Sequence, residues 1–298
     1  MTEPVSTCNA ADRVRSVAVV GLGVMGGSVV KALARRAPSV PVSGIEPDDE
    51  NARGAVRDGV RLVRDLGECD PEGGVVVFAA PLDITVALVR ATAAVWSRAA
   101  LATDVGGLKA PVLEAARVGA RGVFVGAHPM CGSERSGYAA ARADLFEGAD
   151  VWLCPGDGAG GGDGAGKAAQ ECATDRAAAF WKLLGARPRT IAAARHDRLM
   201  AWASHLPQLL ANGLAAALDE AGIGHGALGP GGSDMTRLAG SSPDVWTPLL
   251  EAARAEDVRA LRSAEAHIAT IRRALEAGDM TAVERIMTRG NRWAAANP

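Results

Sequence analysis

Residues Gly126–Gly137 hold the side chain best suited to proton transfer in this chain. They read Gly-Ala-His-Pro-Met-Cys-Gly-Ser-Glu-Arg-Ser-Gly and follow the short apolar run Gly122–Gly126. Histidine titrates near neutral pH, so His128 has the chemistry of a general base. The proline after it restricts His128 to an extended or turn conformation, which predicts an imidazole at the tip of a buried strand. A structural histidine that caps a turn fits the dipeptide equally well.

A second segment has the spacing of a dinucleotide-binding loop. Gly21, Gly23 and Gly26 form a Gly-x-Gly-x-x-Gly pattern. It follows the apolar run Val17–Val20 and opens a helical pattern that reaches about Arg36. Glycines at these positions permit a tight turn, a close approach to a pyrophosphate and close packing of helix on strand. The helix N-terminus adds N–H groups at the positive end of its dipole.

An acidic residue lies where the ribose of a bound dinucleotide would be held. Glu46 ends the next apolar run, 20 residues after Gly26, and its carboxylate would accept hydrogen bonds from the ribose diol. No arginine directly follows Glu46, as a 2′-phosphate would require, so the sequence predicts NAD in preference to NADP. The remaining residues that we assign to the cofactor are Val24, Met25, Ala80, Pro81 and Asp104.

The surrounding elements predict an α/β fold with a doubly wound, Rossmann-type parallel sheet over residues 16–193. Near-continuous apolar runs alternate there with helical patterns, as is typical of strands covered on both faces. The runs are Val17–Val20, Val40–Ile45, Val75–Ala79, Ala100–Thr103, Val123–Ala127, Val151–Cys154 and Arg189–Ala192. Residues 1–15 are polar, which predicts a flexible tail.

Residues 194–298 predict a second, all-helical domain. Apolar residues recur every three or four positions over 199–217 and again over 258–275. Pro207 lies inside the first of these helices and should bend it. We interpret His196, at the beginning of that helix, as a structural residue. The wide apolar stripes with few aromatic residues predict burial against a second copy of the chain, and hence a homodimer.

Composition excludes several other classes of protein. The 298-residue chain is 48% hydrophobic and 22% charged with a formal net charge of −2, so it lacks the basic surface of a nucleic-acid-binding protein. It has no apolar stretch of membrane-spanning length and no signal-peptide pattern, which predicts a cytoplasmic protein with no membrane partner. The five cysteines have no paired spacing, so we expect reduced thiols and no zinc site.

Five segments in order resemble the prephenate/arogenate dehydrogenase family. They are Gly21–Ser28, Thr103–Lys109, His128–Glu134, Ser204–Pro207 and Arg237–Trp246, and the likeness covers roughly residues 16–290. The resemblance implies a nucleotide-binding domain followed by a helical dimerisation domain. It also implies oxidative decarboxylation of a cyclohexadienyl acid. Hydride leaves ring carbon 4 (C4) for NAD(P)+, the ring carboxylate leaves as carbon dioxide, and the ring becomes aromatic.

The resemblance further implies roles for individual residues. His128 matches the histidine that assists deprotonation of the C4 hydroxyl. Arg237 matches an arginine that grips a substrate carboxylate, for which a planar guanidinium is well shaped. His205 joins these two as the third residue expected to be catalytic. The expected substrate-binding residues are Gly107, Glu134, Ser204, Gln208, Asp234 and Trp246. Of these, Asp234 is expected to pair with neighbouring residues of the site.

Gly107 departs from the family pattern, which commonly has a serine at this position. The missing hydroxyl implies either a water in its place or a substrate without the usual C4 hydroxyl. The second case points to 4-amino-4-deoxyprephenate, and arogenate is a further alternative.

Two other classes of protein fit parts of the sequence. β-Hydroxyacid dehydrogenases share the Gly-Leu-Gly-x-Met-Gly opening but use a lysine in their helical half, and no lysine follows Lys182 here. A non-catalytic NAD sensor with the same fold is the alternative from a different class.

Overall fold

The computed structural model describes residues 14–119, 122–132, 135–156 and 164–296. The chain divides into two compact units. The first comprises the residues up to Met200 together with Gly240–Ala252, and the second comprises Ala201–Ala239 and the residues from Ala253 onward. The predicted domain boundary at residue 193 stays a prediction, and Gly240–Ala252, which we placed in the helical domain, belongs to the first unit.

An eight-stranded sheet forms the centre of the first unit, counted over the described residues. Its strands are β1 (Val17–Val20), β2 (Val42–Ile45), β3 (Arg61–Leu62), β4 (Val75–Phe78), β5 (Leu101–Asp104), β6 (Phe124–Pro129), β7 (Asp150–Pro155) and β8 (Arg187–Thr190). Their order is β3-β2-β1-β4-β5-β6-β7-β8. The strand order therefore reverses between β1 and β4. In open sheets of this kind, ligands bind outside the carboxyl ends of the strands at such a reversal.

The sheet is mostly parallel, as predicted, with one antiparallel pairing between β6 and β7. Strands β1 to β6 pair in parallel, β7 pairs antiparallel with β6, and β8 runs parallel to β7. The apolar pattern does not reveal this, because a strand buried on both faces has the same composition in either direction. The antiparallel pairing extends β6 as far as Pro129, with His128 opposite Trp152.

Helices follow most of the strands. Those that begin in the first unit before Met200 are α1 (Val24–Arg36), α2 (Asp49–Arg57), α3 (Leu82–Ala91), α4 (Ala93–Trp96), α5 (Ala110–Ala116), α6 (Gly164–Leu183) and α7 (Ala193–Met200). The later helices are α8 (Leu206–Glu220), α9 (Pro230–Thr236), α10 (Pro243–Glu276) and α11 (Met280–Ala296). No helix in the described ranges has the length and hydropathy required to cross a bilayer.

The helix predicted over residues 199–217 is interrupted before Pro207. A π-helical segment, Ala201–His205, separates α7 from α8, and Pro207 lies in the first turn of α8. Proline lacks an N–H and its ring clashes with the carbonyl four residues earlier, so a regular α-helix cannot continue through this turn. Wide turns of this kind are frequent at functional sites, and this one ends on a predicted site residue, His205.

Candidate active site

The three glycines of the loop after β1 have three different surroundings. Gly21 has φ +91°, and a β-carbon there would lie 2.8 Å from the Ala79 carbonyl carbon. A β-carbon on Gly26 would lie 1.9 Å from the Gly21 oxygen, so α1 can pack this closely on the loop only without a side chain. A β-carbon on Gly23 would meet no atom of the described residues within 4 Å. Gly23 is therefore the position where the backbone is open to a ligand.

The start of α1 and Glu46 complete the features expected of a dinucleotide site. No side chain caps α1, whose first residues are Val24 and Met25, so its N–H groups are left for an anion. Glu46 Oε2 accepts a hydrogen bond from the Leu22 N–H at 2.6 Å, and Oε1 accepts one from the Asp48 N–H at 2.9 Å. A carboxylate held in this way keeps further lone pairs for a ribose diol and repels a 2′-phosphate. These residues fit NAD.

Ala80 and Pro81 lie between β4 and α3, after the strand that pairs with β1. The Thr85 hydroxyl donates to the Ala80 carbonyl at 2.9 Å, which fixes the turn into α3. Their position at the carboxyl end of β4, next to the reversal of strand order, is consistent with the predicted cofactor contact.

Asp104 has a different role from the predicted cofactor contact. Its side chain is fully buried, Oδ1 accepts a hydrogen bond from the Ala127 N–H at 3.1 Å, and Oδ2 accepts one from the Lys109 ammonium. Lys109 Nζ also donates to the Ala127 carbonyl at 2.6 Å. Because β5 pairs with β6 only as far as Val125, these two side chains replace the missing strand partners beside Ala127. The Asp104 carboxylate therefore fixes the backbone that precedes His128, which corrects our assignment.

His128 is the last residue but one of β6, at the strand end where we expected it, and it is half-buried. Its Nδ1 lies 2.9 Å from His196 Nε2, and the two rings meet edge to face with an interplanar angle of 78°. His196 Nδ1 in turn lies 2.8 Å from Asp197 Oδ1. His196 is fully buried. Our interpretation of it as a structural residue at a helix end missed its contact with the predicted base, His128.

Asp197 connects this line of side chains to the start of α5. Its Oδ1 accepts a hydrogen bond from the Lys109 N–H and its Oδ2 one from the Ala110 N–H, both at 2.8 Å. Burial raises the pKa of Asp197. Hydrogen bonds from His196 and from these two N–H groups lower the pKa by more than burial raises it, so the pKa of Asp197 is below its usual value. Asp197 is therefore an anion at neutral pH.

The second unit contains another histidine–carboxylate pair. His205 Nδ1 lies 2.8 Å from Oδ1 of Asp257 on α10, and both side chains are buried. Asp257 Oδ2 is buried without a hydrogen-bond partner among the described residues. Burial raises the pKa of Asp257, and the hydrogen bond with His205 offsets this only in part. Asp257 gives no signal in the sequence, because it is one of many acids on a long helix.

Gln208 supports the turn that carries Arg237. It is 1% exposed, and its Nε2 donates to the Leu238 carbonyl at 2.8 Å. Its Nε2 also donates to Asn212 Oδ1 at 3.2 Å, whereas its Oε1 is buried without a partner among the described residues, so the predicted substrate contact stays a prediction for that oxygen. Arg237 is exposed and makes no hydrogen bond or ion pair within the described chain, so its guanidinium is available to an anion. Asp234 is also exposed and unpaired among these residues, contrary to its predicted pairing.

The remaining predicted substrate contacts have varied surroundings. Ser204 is half-buried in the π-helical segment, and Trp246 is half-buried near the start of α10. A β-carbon on Gly107 would lie 3.5 Å from Leu249 Cδ2, an ordinary contact, so packing within the first unit would admit a serine there. Glu134 lies outside the described residues.

Cys131 and Cys154 offer no alternative nucleophile. Burial raises the pKa of the Cys131 thiol to about 11 and the pKa of the Cys154 thiol to about 12, so both are neutral at physiological pH. Cys172 is disulfide-bonded, which corrects the prediction of five reduced thiols, since sequence spacing does not show which thiols meet in space. The described residues contain no group of three His, Cys, Asp or Glu arranged to hold a metal ion.

A dinucleotide-binding loop, together with the hydrogen-bonded side chains of Asp197, His196 and His128, is typical of a dehydrogenase with a Rossmann fold. Residues 29–187 match the family model of the prephenate dehydrogenase nucleotide-binding domain, and residues 192–289 match that of the prephenate dehydrogenase dimerization domain. The chain belongs to the prephenate dehydrogenase family, whose members are oxidoreductases.

Individual relatives agree with this membership. The chain is 27% identical over 290 residues to prephenate dehydrogenase of Lactococcus lactis, covering 93% of this chain and 76% of the relative. It is 27% identical over 245 residues to cyclohexadienyl dehydrogenase of Zymomonas mobilis, covering 79% and 80%. A solved prephenate dehydrogenase from A. aeolicus, in complex with hydroxyphenyl propionate and NAD+, superposes with a TM-score of 0.80 at 22% identity, covering 95% of this chain and 98% of that one. That superposition confirms the predicted fold class.

Proposed function

We propose that this chain catalyses the NAD-dependent oxidative decarboxylation of a prephenate-type cyclohexadienyl acid. The observation that carries the proposal is the line of hydrogen-bonded side chains from Asp197 through His196 to His128. It belongs to the same unit as a glycine loop that is open at Gly23. A base and a dinucleotide loop are the two parts that alcohol oxidation by hydride transfer requires.

His128 is the proposed base in this reaction. As the C4 O–H bond breaks, Nε2 of His128 takes the proton, and the C4–H bond breaks with its electron pair. Bound NAD+ supplies the acceptor for that hydride. C4 is then a carbonyl conjugated with the ring, so the bond to the ring carboxylate breaks with little further help and carbon dioxide leaves. His128 returns its proton to the phenolate oxygen, and the products are a 4-substituted phenylpyruvate, carbon dioxide and NADH.

Arg237 and His205 are the proposed anchors for the substrate carboxylates. The guanidinium of Arg237 is exposed and has no partner in the described part of the chain, which supports its role, because a planar fork of donors forms two parallel hydrogen bonds with a carboxylate. The imidazole of His205 is fixed by Asp257, which supports a role in positioning. Ser204, Trp246 and Glu134 keep their proposed roles as further substrate contacts.

The substituent at C4 is the open part of the proposal. Prephenate carries a hydroxyl there, and 4-amino-4-deoxyprephenate carries an amine. Packing around Gly107 would admit a serine β-carbon, so the absence of a hydroxyl there is not forced by the neighbouring Leu249. This observation favours 4-amino-4-deoxyprephenate as the second candidate substrate, with arogenate as a third.

We also propose that the protein is a cytoplasmic homodimer. The match of residues 192–289 to a dimerization domain supports the dimer. So do the exposed apolar side chains along the last two helices, which a second copy would cover. They are Val258, Leu261, Ile268, Leu275, Met287 and Trp293.

The direct test is reduction of NAD+ and of NADP+ by the purified protein with prephenate, arogenate and 4-amino-4-deoxyprephenate in parallel. We expect NADH from at least one acid and slower reduction of NADP+. His128→Asn should lower kcat by about 10²–10⁴ while NAD+ binding is unchanged. His225→Asn, at an exposed histidine, is the matched control. No turnover with any of the acids, or near-normal turnover of His128→Asn, contradicts the proposal.

Gly107→Ser tests the choice of C4 substituent. If Gly107 selects for the amine, the Gly107→Ser variant should have a higher ratio of its rate with prephenate to its rate with 4-amino-4-deoxyprephenate than the wild type has. Equal wild-type rates on the two substrates would remove any meaning from this position.

A further inference from the structure

The hydrogen bonds from Asp197 through His196 to His128 each have a defined donor and acceptor. Asp197 is an anion, and an ionised carboxylate can only accept hydrogen bonds. The hydrogen between Asp197 Oδ1 and His196 therefore belongs to His196 Nδ1. A neutral imidazole carries one N–H, so His196 Nε2 is left as an acceptor. The hydrogen in the 2.9 Å contact between the two histidines then belongs to His128 Nδ1.

We propose that His196 and Asp197 are positioning residues that hold His128 in the tautomer whose Nε2 is the proton acceptor. This inference rests on the proposed function, because it assigns how the base of that reaction is prepared. In water the hydrogen of a neutral histidine side chain lies mainly on Nε2. An Nε2 that carries this hydrogen cannot accept a proton. The carboxylate of Asp197 reverses that preference in two histidines in succession.

The geometry also supports the charged state that follows proton transfer. When His128 becomes an imidazolium, its Nδ1–H still faces the lone pair of His196, whose other hydrogen faces the anionic Asp197. Charge-assisted hydrogen bonds of this kind are about twice as strong as neutral ones. His196 is fully buried, so water does not compete for either of its nitrogens.

Among the described residues, Asp104 and Lys109 also lie close to the backbone that precedes His128, and they do not replace this function. Asp104 and Lys109 contact the Ala127 backbone and neutralise each other in a buried ion pair. The thiol of Cys154, on the neighbouring strand β7, is neutral because burial raises its pKa to about 12. Within the described residues, Asp197 is thus the anion that reaches His128 through a hydrogen-bonded side chain.

The test compares two variants of His196 by the pH profile of kcat/KM. His196→Gln places an amide near the position of Nε2, where its oxygen can accept from His128. His196→Leu fills a similar volume without an acceptor. We expect the leucine variant to lose about 10–10³-fold in kcat and the acid limb of its profile to move down by about one pH unit. The glutamine variant should recover at least part of both changes.

His225→Leu, at an exposed histidine, should leave the rate and the profile unchanged. A leucine variant with a lower rate but an unmoved acid limb, or no recovery with glutamine, would show a merely structural role. Wild-type protein without activity on any cyclohexadienyl acid would refute the proposed function instead, so the two failures are distinguishable.

A second measurement needs neither turnover nor a stable variant. Nitrogen-15 NMR of protein labelled at histidine reports which ring nitrogen carries the hydrogen. Among the five histidines of the chain, we expect His128 and His196 to be neutral with the hydrogen on Nδ1. Signals from these two residues with the hydrogen on Nε2 would overturn the proposal, even if every variant failed to fold.

Discussion

The two units each contain a histidine whose Nδ1 lies 2.8 Å from an aspartate oxygen, yet the two aspartates titrate in opposite directions. The pKa of Asp197 lies below its usual value, whereas the pKa of Asp257 lies above it. Burial raises both pKa values. The difference lies in the other donors, because two backbone N–H groups also reach Asp197, whereas Asp257 keeps a buried oxygen without a partner in the described chain. The backbone, more than the histidine, decides the charge of the pair.

The same contacts tie the first pair to the fold. Asp197 accepts from the first N–H groups of α5, and the side chain of Lys109 grips the strand that carries His128. In the second pair, the contact between His205 and Asp257 joins the π-helical segment to α10. Backbone donors therefore fix the aspartate of the first pair but not that of the second, and substitutions should distinguish the two.

The largest expected loss of stability follows substitution of Lys109. Its backbone N–H donates to Asp197, and its side chain holds the strand that carries His128. Lys109→Met removes the cation from a fully buried ion pair and leaves the Asp104 carboxylate uncompensated. Loss of one partner of a buried pair lowers the free energy of unfolding by about 3–5 kcal/mol. Denaturation by urea, followed by circular dichroism, measures this change.

Lys167→Met is the matched control for that substitution. Lys167 is 82% exposed and lies 3.9 Å from Glu171, four residues further along α6. Exposed pairs of this kind contribute about 0–1 kcal/mol. Equal losses in the two variants would show that the buried lysine has no special role in the first unit.

The second prediction compares the aspartates directly. An amide has one acceptor oxygen, so in Asp197→Asn its NH2 must face the N–H of either Lys109 or Ala110. We expect a loss of about 1–3 kcal/mol in the free energy of unfolding at pH 7. In Asp257→Asn the amide oxygen can still accept from His205 and no backbone donor loses its partner, so the change should stay within about 1 kcal/mol.

Thermal unfolding of both variants beside Asp279→Asn checks this difference. Asp279 Oδ1 accepts a hydrogen bond from the Ala282 N–H at the start of α11, and asparagine serves nearly as well as aspartate at such a position. If Asp257→Asn destabilises as much as Asp197→Asn, then the number of backbone donors does not explain the difference between the pairs.

The sequence predicted the parts of the site that local chemistry determines. The glycine loop, Glu46 and the apolar runs follow from spacing and from the period of the pattern, and the structure has strands at or within two residues of those runs. The contact of His196 with His128 was not predictable in this way. It joins residues 68 positions apart and depends on β6 continuing beyond β5, which the antiparallel strand β7 permits.

The backbone contacts of Asp104 and Gln208 were not predictable for a related reason. Both lie beside residues of the proposed site along the chain, and a polar residue in such a place is a reasonable candidate for a ligand contact. The structure shows that each supports a backbone segment, at Ala127 and at Leu238. Burial decides between these two roles, and burial of a single polar side chain depends on the tertiary structure.

The smallest expected effect is a difference in the pH dependence of stability. A carboxylate with a lowered pKa in the folded protein stabilises it above about pH 4, and this contribution is lost as the pH falls through the folded pKa. The advantage of wild type over Asp197→Asn should therefore be constant from pH 7 to about pH 5 and shrink below about pH 4. Each unit of pKa shift corresponds to about 1.4 kcal/mol.

Asp257 should show the opposite slope at higher pH. Its raised pKa means that ionisation of Asp257 destabilises the folded protein as the pH rises from about 4 through the folded pKa. Wild type should therefore gain stability relative to Asp257→Asn as the pH falls from 7 towards 4, where the Asp197 comparison is still flat. Differential scanning fluorimetry of the three proteins at half-unit pH steps resolves the two windows. Parallel curves would mean that the two aspartates share one environment, against the difference in donors that the structure shows.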